Sequence, residues 1–163
     1  MGAEIARTLH AAGAQVAVHF RNSTAEAEAL VAALNGVRPQ SAIGVQADLL
    51  DTPRHSRLIE TLLATFGRLD VLVNNASTFY PTPVGTITVA QWDDLLGTNL
   101  RAPLFLSQAA APALRAARGL IINIADIHGQ RPLRHHTTYS IAKAGLVMLE
   151  RDDNVVVYGQ DVG

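Results

Sequence analysis

The chain has 163 residues, 48% of them hydrophobic and 17% charged, with a formal net charge of −1. That is room for one soluble domain with a real core, without a net field to recruit nucleic acid or an anionic membrane. The absence of cysteine excludes disulfides, thiol nucleophiles and Cys-zinc sites and is compatible with a cytoplasmic protein; no apolar run reaches the roughly 18 residues of a membrane span, and no signal peptide is expected.

Apolar periodicity alternates along the chain. Met1-Gly2 leads directly into a helical pattern of Ile5, Leu9 and Ala12, which stops at Gly13, where glycine tolerates a left-handed cap. Gln15 to Phe20 reads as a short strand, and Thr24 to Leu34 as a helix capped by Ser23 or Thr24. Ser41 to Ala47 is a strand ending at Asp48, and Thr52 to Phe66 a helix with Pro53 in its first turn. Asp70 to Val73 is a buried strand that breaks at Asn74-Asn75. Val89 to Ala116 is one or two helices, with Pro103 and Pro112 as bends or restarts; Leu120 to Ile124 is the next strand and His136 to Leu149 the next helix.

Strands alternating with helices of this length predict βαβ units and an α/β fold with a parallel sheet covered on both faces. Ligands of such sheets sit at the carboxyl ends of the strands. Arg21-Asn22, Asp48-Leu49, Asn74 to Ser77 and Ala125-Asp126 all fall at those ends. Asp126 stands out, because a carboxylate that closes the aliphatic run Ile121 to Ile124 is costly without a partner or a task. Tyr139 and Lys143 are four residues apart on a helix and share a face. An ammonium near a phenol favours the phenolate, so Lys143 is expected to lower the Tyr139 pKa from about 10. Adjacent His135 and His136 read as loop or helix-start residues, His128 lies near Asp126, and no histidine spacing predicts a metal site.

These residues resemble the short-chain dehydrogenase/reductase superfamily. Four marks carry the likeness: Asp48-Leu49, the NNAS run at 74–77, Asn99 in the long helix, and Tyr139-Ser-Ile-Ala-Lys143. An aspartate at 126, where the superfamily usually has serine, together with NNASTFYPTP at 74–83, is similar to the pteridine reductases in particular. The resemblance spans about residues 2 to 148. It implies a Rossmann-like doubly wound sheet and NADPH-dependent reduction of a dihydropterin or dihydrofolate. In that scheme Tyr139 donates a proton, Lys143 tunes it and holds a ribose, Asp126 bonds Tyr139 and contacts the pterin, Phe79 stacks on the pterin opposite the nicotinamide, and Asn99 completes the catalytic set by bridging the helix backbone and a water leading to Lys143. Arg21, Asn22 and Ser23 form a basic, hydroxyl-bearing turn suited to a 2′-phosphate, with Arg21 able to pair with it bidentately. Asp48 and Leu49 would flank the adenine, and Asn75, Ala76 and Ser77 would line the dinucleotide groove. The family also implies a homotetramer.

Two departures are expected. The family's first strand and glycine-rich turn are missing ahead of Gly2, which would leave a gap in the sheet, and its C-terminal strands are missing after residue 149. Residues 150–163, ending Val155-Val156-Val157-Tyr158-Gly159-Gln160-Asp161-Val162-Gly163, instead resemble the start of a thiamine-diphosphate-dependent 2-oxoacid dehydrogenase beta subunit. The expected division is therefore a partial reductase domain over 1–149 and a foreign tail over 150–163. The alternatives are reduction of another carbonyl substrate, or a truncated non-catalytic fragment without saturable NADPH binding.

Overall fold

The structure, a computed structural model, describes residues 1–149 and the backbone of 155–158. Residues 150–154 and 159–163 lie outside the described residues, and with them the expected foreign character of most of the tail. The chain divides into two compact units, Met1–Gly67 and Arg68–Gly163. Among the described residues, no helix is long and apolar enough to cross a membrane.

In the first unit, α1 (Gly2–Ala11), β1 (Val16–Phe20), α2 (Thr24–Val37), β2 (Ala42–Gln46) and α3 (His55–Phe66) follow in order. β1 and β2 pair in parallel, from Val16 opposite Ala42 to Phe20 opposite Gln46. Ala6 of α1, Val16, Ala42, and Leu30 and Leu34 of α2 close over one another as the core of this unit. Helix α2 runs three residues beyond Leu34, and its last turn places Asn35 against the start of β2. The Asn35 side chain donates to the Ala42 carbonyl at 2.9 Å and accepts from Ser41 N at 2.9 Å and Ala42 N at 3.0 Å. A polar residue late in a helix thus sets where the next strand begins. Two boundary expectations change. Ser23 stands at the N-cap of α2, but its side chain caps nothing. Thr52–Arg54 is a tighter helical turn with Pro53 in it, so α3 proper begins at His55.

In the second unit, β3 (Val71–Asn74), α4 (Val89–Leu96), α5 (Ala102–Ala117), β4 (Leu120–Ile124), α6 (Thr137–Met148) and β5 (Val155–Tyr158) follow. The sheet order is β3-β4-β5, all parallel. The strands thus form two sheets, one in each unit, as befits an incomplete doubly wound domain. The strand β5, within the segment expected to be foreign, pairs along β4 from Ile121 opposite Val155 to Ile124 opposite Tyr158. This segment therefore adds one strand beside β4, and the doubly wound domain remains incomplete. Asn74 ends β3 instead of breaking it, because its side chain is buried and bonded.

The long helical region is a single run whose middle, Gly97–Arg101, is a widened π turn between α4 and α5. Pro103 falls in the first turn of α5, and Pro112 sits inside α5 without ending it. Thr88 caps α4 in a reciprocal box with Gln91.

The entry into β4 depends on Gly119. A Cβ there would lie 2.2 Å from the Asp70 carbonyl oxygen, on the same backbone contact that gives Leu120 N its 2.9 Å bond to Asp70. Backbone cannot move aside as a side chain tip can. Gly119→Ala is expected to destabilise the protein by about 1–3 kcal/mol or more, read as a lower urea midpoint with an unchanged slope.

Candidate active site

Strand β4 delivers Asp126 just past its end, where the carboxylate has two jobs. Oδ1 accepts from His128 N at 2.9 Å and so caps the short turn Ile127–Gly129. Oδ2 accepts from the Tyr139 hydroxyl at 2.8 Å. The backbone bond fixes the carboxylate, and the fixed carboxylate then orients the phenol.

Tyr139 and Lys143 lie one turn apart on α6, and both are only 4% exposed. The Lys143 Nζ donates to the Ile124 carbonyl at 2.9 Å and sits 5.7 Å from the centre of the Tyr139 ring. An ammonium carries three donors, and among the described residues Nζ has no other partner. The turn after Asp126 lies directly on the helix: a Cβ on Gly129 would come within 2.9 Å of the Lys143 backbone carbonyl. A larger residue at 129 would push α6 away from the strand end that holds its tyrosine.

The electrostatics reverse one expectation. Tyr139 is raised well above the ordinary phenol range, first by burial and then by the hydrogen bond and negative charge of Asp126, with the Ser77 hydroxyl acting in the opposite sense. Lys143 is not among the groups that shift it. Lys143 itself is lowered by burial, against the pull of Asp126. The phenol is thus held in its protonated form, because a phenolate there would be desolvated and face a carboxylate.

Asn99 sits in the π turn, 1% exposed. Its Nδ2 donates to the Leu95 carbonyl and the Thr78 carbonyl, both at 2.9 Å, and its Oδ1 accepts from Ser77 Oγ at 2.6 Å. It thus bonds the helix backbone at Leu95 and ties the loop after β3 to that helix. Asn75 in the same loop is half-buried, and Ala76 and Ser77 are exposed.

Phe79 is 54% exposed. Its ring meets Tyr139 edge-on at 4.8 Å and stacks on His136 at 4.6 Å, with 12° between the planes. His136 stands at the start of α6 as the sequence suggests, but its place over Phe79 is not legible locally. It follows from the backbone bond between Thr82 N and the His135 carbonyl, 2.6 Å, which joins two distant loops. Among the described residues, no group of three or more His, Asp or Glu could hold a metal.

A family model described as short chain dehydrogenase matches residues 1–155. The chain belongs to the short chain dehydrogenase family. It is similar to pteridine reductase 1 of Leishmania tarentolae, 36% identical over 189 residues, which covers 93% of this chain and 65% of the relative. It is also similar to the 3-oxoacyl-(acyl-carrier-protein) reductase FabG of Staphylococcus aureus strain N315, at 32% over 152 residues, with 93% and 61% covered. An uncharacterized oxidoreductase of Staphylococcus aureus strain USA300 matches at 32% over 147 residues, with 90% and 62% covered. The chain spans less than two thirds of the length of these relatives.

In this short chain dehydrogenase the remaining sequence-predicted residues lie in the first unit. Arg21 follows β1 and pairs with Asp48, which follows β2, at 3.1 Å, with both side chains nearly half exposed. Asp48 Oδ1 also accepts from Leu50 N at 2.9 Å. The Leu49 carbonyl is bonded by His55 at 3.0 Å. Asn22 and Ser23 are exposed beside Arg21. His19 and His55 contact this turn, and the sequence does not single them out, because their partners are backbone carbonyls that leave no trace in composition.

Two outcomes test the site. Asn99→Ala leaves two carbonyls and the Ser77 hydroxyl without their partner and should cost at least about 2 kcal/mol, measured by urea unfolding. For Tyr139, a raised folded pKa means its contribution to stability is full below the unfolded value of about 10 and is lost as pH rises towards the folded value. The unfolding free energy of wild type minus that of Tyr139→Phe should therefore be flat at neutral pH and fall above about pH 10. A flat difference across that range would show that burial and Asp126 leave the phenol unshifted.

Proposed function

We propose that this chain carries the proton-delivering half of an NADPH-dependent reductase of pterins, of dihydropterin or dihydrofolate type. The observation that carries the reading is the 2.8 Å bond from Tyr139 to Asp126 beside the half-exposed ring of Phe79. Reduction of a ring C=N bond takes a hydride at carbon and a proton at nitrogen, and the nicotinamide, when bound, supplies the hydride.

Tyr139 remains protonated at neutral pH and so has a proton to give at its hydroxyl. Asp126 accepts from that hydroxyl; once Tyr139 has given its proton, the phenolate regains one from solvent, which the carboxylate can take up and pass on. Lys143 brings positive charge beside the ring, which offsets the phenolate left behind, and its remaining N–H groups suit ribose hydroxyls. The exposed Phe79 ring offers a flat apolar surface at the edge of Tyr139, which fits a planar bicycle better than a flexible chain. Asn75, Ala76 and Ser77 are assigned to the dinucleotide groove on the family resemblance, and the exposure of Ala76 and Ser77 supports that assignment. Arg21, half-exposed and paired with Asp48 through one N–H group only, keeps other donors for a 2′-phosphate, with Asn22 and Ser23 beside it and Asp48 and Leu49 towards the adenine. The pteridine reductase relative supports the substrate class, and the FabG relative favours a carbonyl substrate instead. The reading extends to a cytoplasmic enzyme and, by the family resemblance, to a homotetramer.

The test compares NADPH oxidation by the protein with a dihydropterin and with a panel of ketones. The dihydropterin should be preferred. Asp126→Ala should lower turnover by roughly a hundredfold or more, whereas Phe79→Ala should act mainly through KM. Ketone preference, or wild-type turnover in Asp126→Ala, would sink the assignment.

A further inference from the structure

The turn Ala47-Asp48-Leu49 is gripped from both sides by histidine rings. His19, on β1, bonds the Ala47 carbonyl through Nε2 at 2.9 Å. His55, the first residue of α3 and 2% exposed, bonds the Leu49 carbonyl through Nε2 at 3.0 Å. A carbonyl only accepts, so both rings carry their proton on Nε2. The His55 Nδ1 is buried and has no partner among the described residues. Asp48 lies between the two gripped carbonyls. Its Oδ1 is fixed by Leu50 N and its Oδ2 receives Arg21, while Gln46 Nε2 holds the Arg21 carbonyl at 3.0 Å.

From this geometry we infer that His19 and His55 are positioning residues. They fix the Asp48 carboxylate by its two flanking carbonyls, and the carboxylate in turn aims the Arg21 guanidinium at an incoming phosphate monoester. The inference rests on the reading of Arg21 as the 2′-phosphate group. The chemistry has a reason to need them. An exposed arginine on a free loop samples many rotamers, and ordering it on binding opposes affinity. A guanidinium already paired on one edge to a fixed carboxylate keeps its other N–H groups in one direction. His19 is shifted towards its neutral form chiefly by desolvation of its ring, although the side chain as a whole stays exposed, with the neighbouring His55 in the same sense and the Ala47 bond and Asp48 charge opposed.

The probes are 2′,5′-ADP and 5′-AMP, which differ in the 2′-phosphate and require no turnover. Calorimetry on the full chain should show 2′,5′-ADP bound more tightly. His19→Leu and His55→Leu should each weaken it about threefold to tenfold while 5′-AMP binding changes little. Gln at either position keeps an N–H donor and should restore most of the loss. Amide exchange at Leu50 N, the bond that reports the Asp48 carboxylate, should quicken in the Leu variants and not in the Gln variants. Unchanged exchange in His19→Leu and His55→Leu overturns the positioning role even if affinity falls. Equal binding of the two nucleotides by wild type, with Arg21→Gln no different, overturns the phosphate reading of Arg21. Exchange then still decides whether the histidines hold the turn. Equal weakening of both nucleotides, or Gln variants no better than Leu, marks a general folding role and overturns the proposal.

Discussion

One hydrogen bond organises the second unit: the 2.8 Å contact from the Tyr139 hydroxyl to Asp126. It joins the end of β4 to α6 and therefore demands that strand end and helix come within backbone contact. Gly129 meets that demand by letting the turn lie on the Lys143 backbone. The same closeness brings Lys143 Nζ to the Ile124 carbonyl, so one approach distance places phenol, carboxylate and ammonium together. Asn99 and the loop after β3 form a separate support. They hold Ser77 through the Asn99 side chain without touching Asp126.

Burial acts on the two basic-range groups in opposite directions. It raises Tyr139 and lowers Lys143, because each shift favours the uncharged form. Asp126 opposes burial at Lys143 and reinforces it at Tyr139. A carboxylate at this place thus separates the two groups, keeping the phenol protonated and helping the amine stay charged. A serine, which carries no charge, would bond the phenol without doing either. The composition of the site therefore has an energetic logic beyond hydrogen-bond geometry.

The alternation of strands and helices was legible because apolar period changes with element, and β1 and β4 fall within a residue of their expected bounds. Asp126, Tyr139 and Lys143 were legible because they sit at a strand end and on one helix face, which are local facts. What escaped notice depends on long-range contacts. His136 over Phe79, Ser77 on Asn99, and His19 and His55 on the turn around Asp48 are all joined through distant backbone. The sign of the Tyr139 shift is illegible for a related reason: spacing shows that Lys143 is near, but not that burial and Asp126 set the shift.

The second unit also carries polar groups where apolar ones would be cheaper. Asn74 on β3 and Asn123 on β4 face one another in register, both buried, with the Asn74 amide donating to the Asn123 oxygen at 2.7 Å. The Asn123 Nδ2 has no partner among the described residues, nor does the buried hydroxyl of Thr138, next to Tyr139. A strand pair of Val or Ile would avoid that cost. Asn74 opens the NNAS loop that reaches Ser77, and Asn123 lies three residues before Asp126. The unpaired polar atoms of this unit therefore cluster around the segments that carry the candidate site, and departures from an optimal core are expected where chemistry constrains the choice.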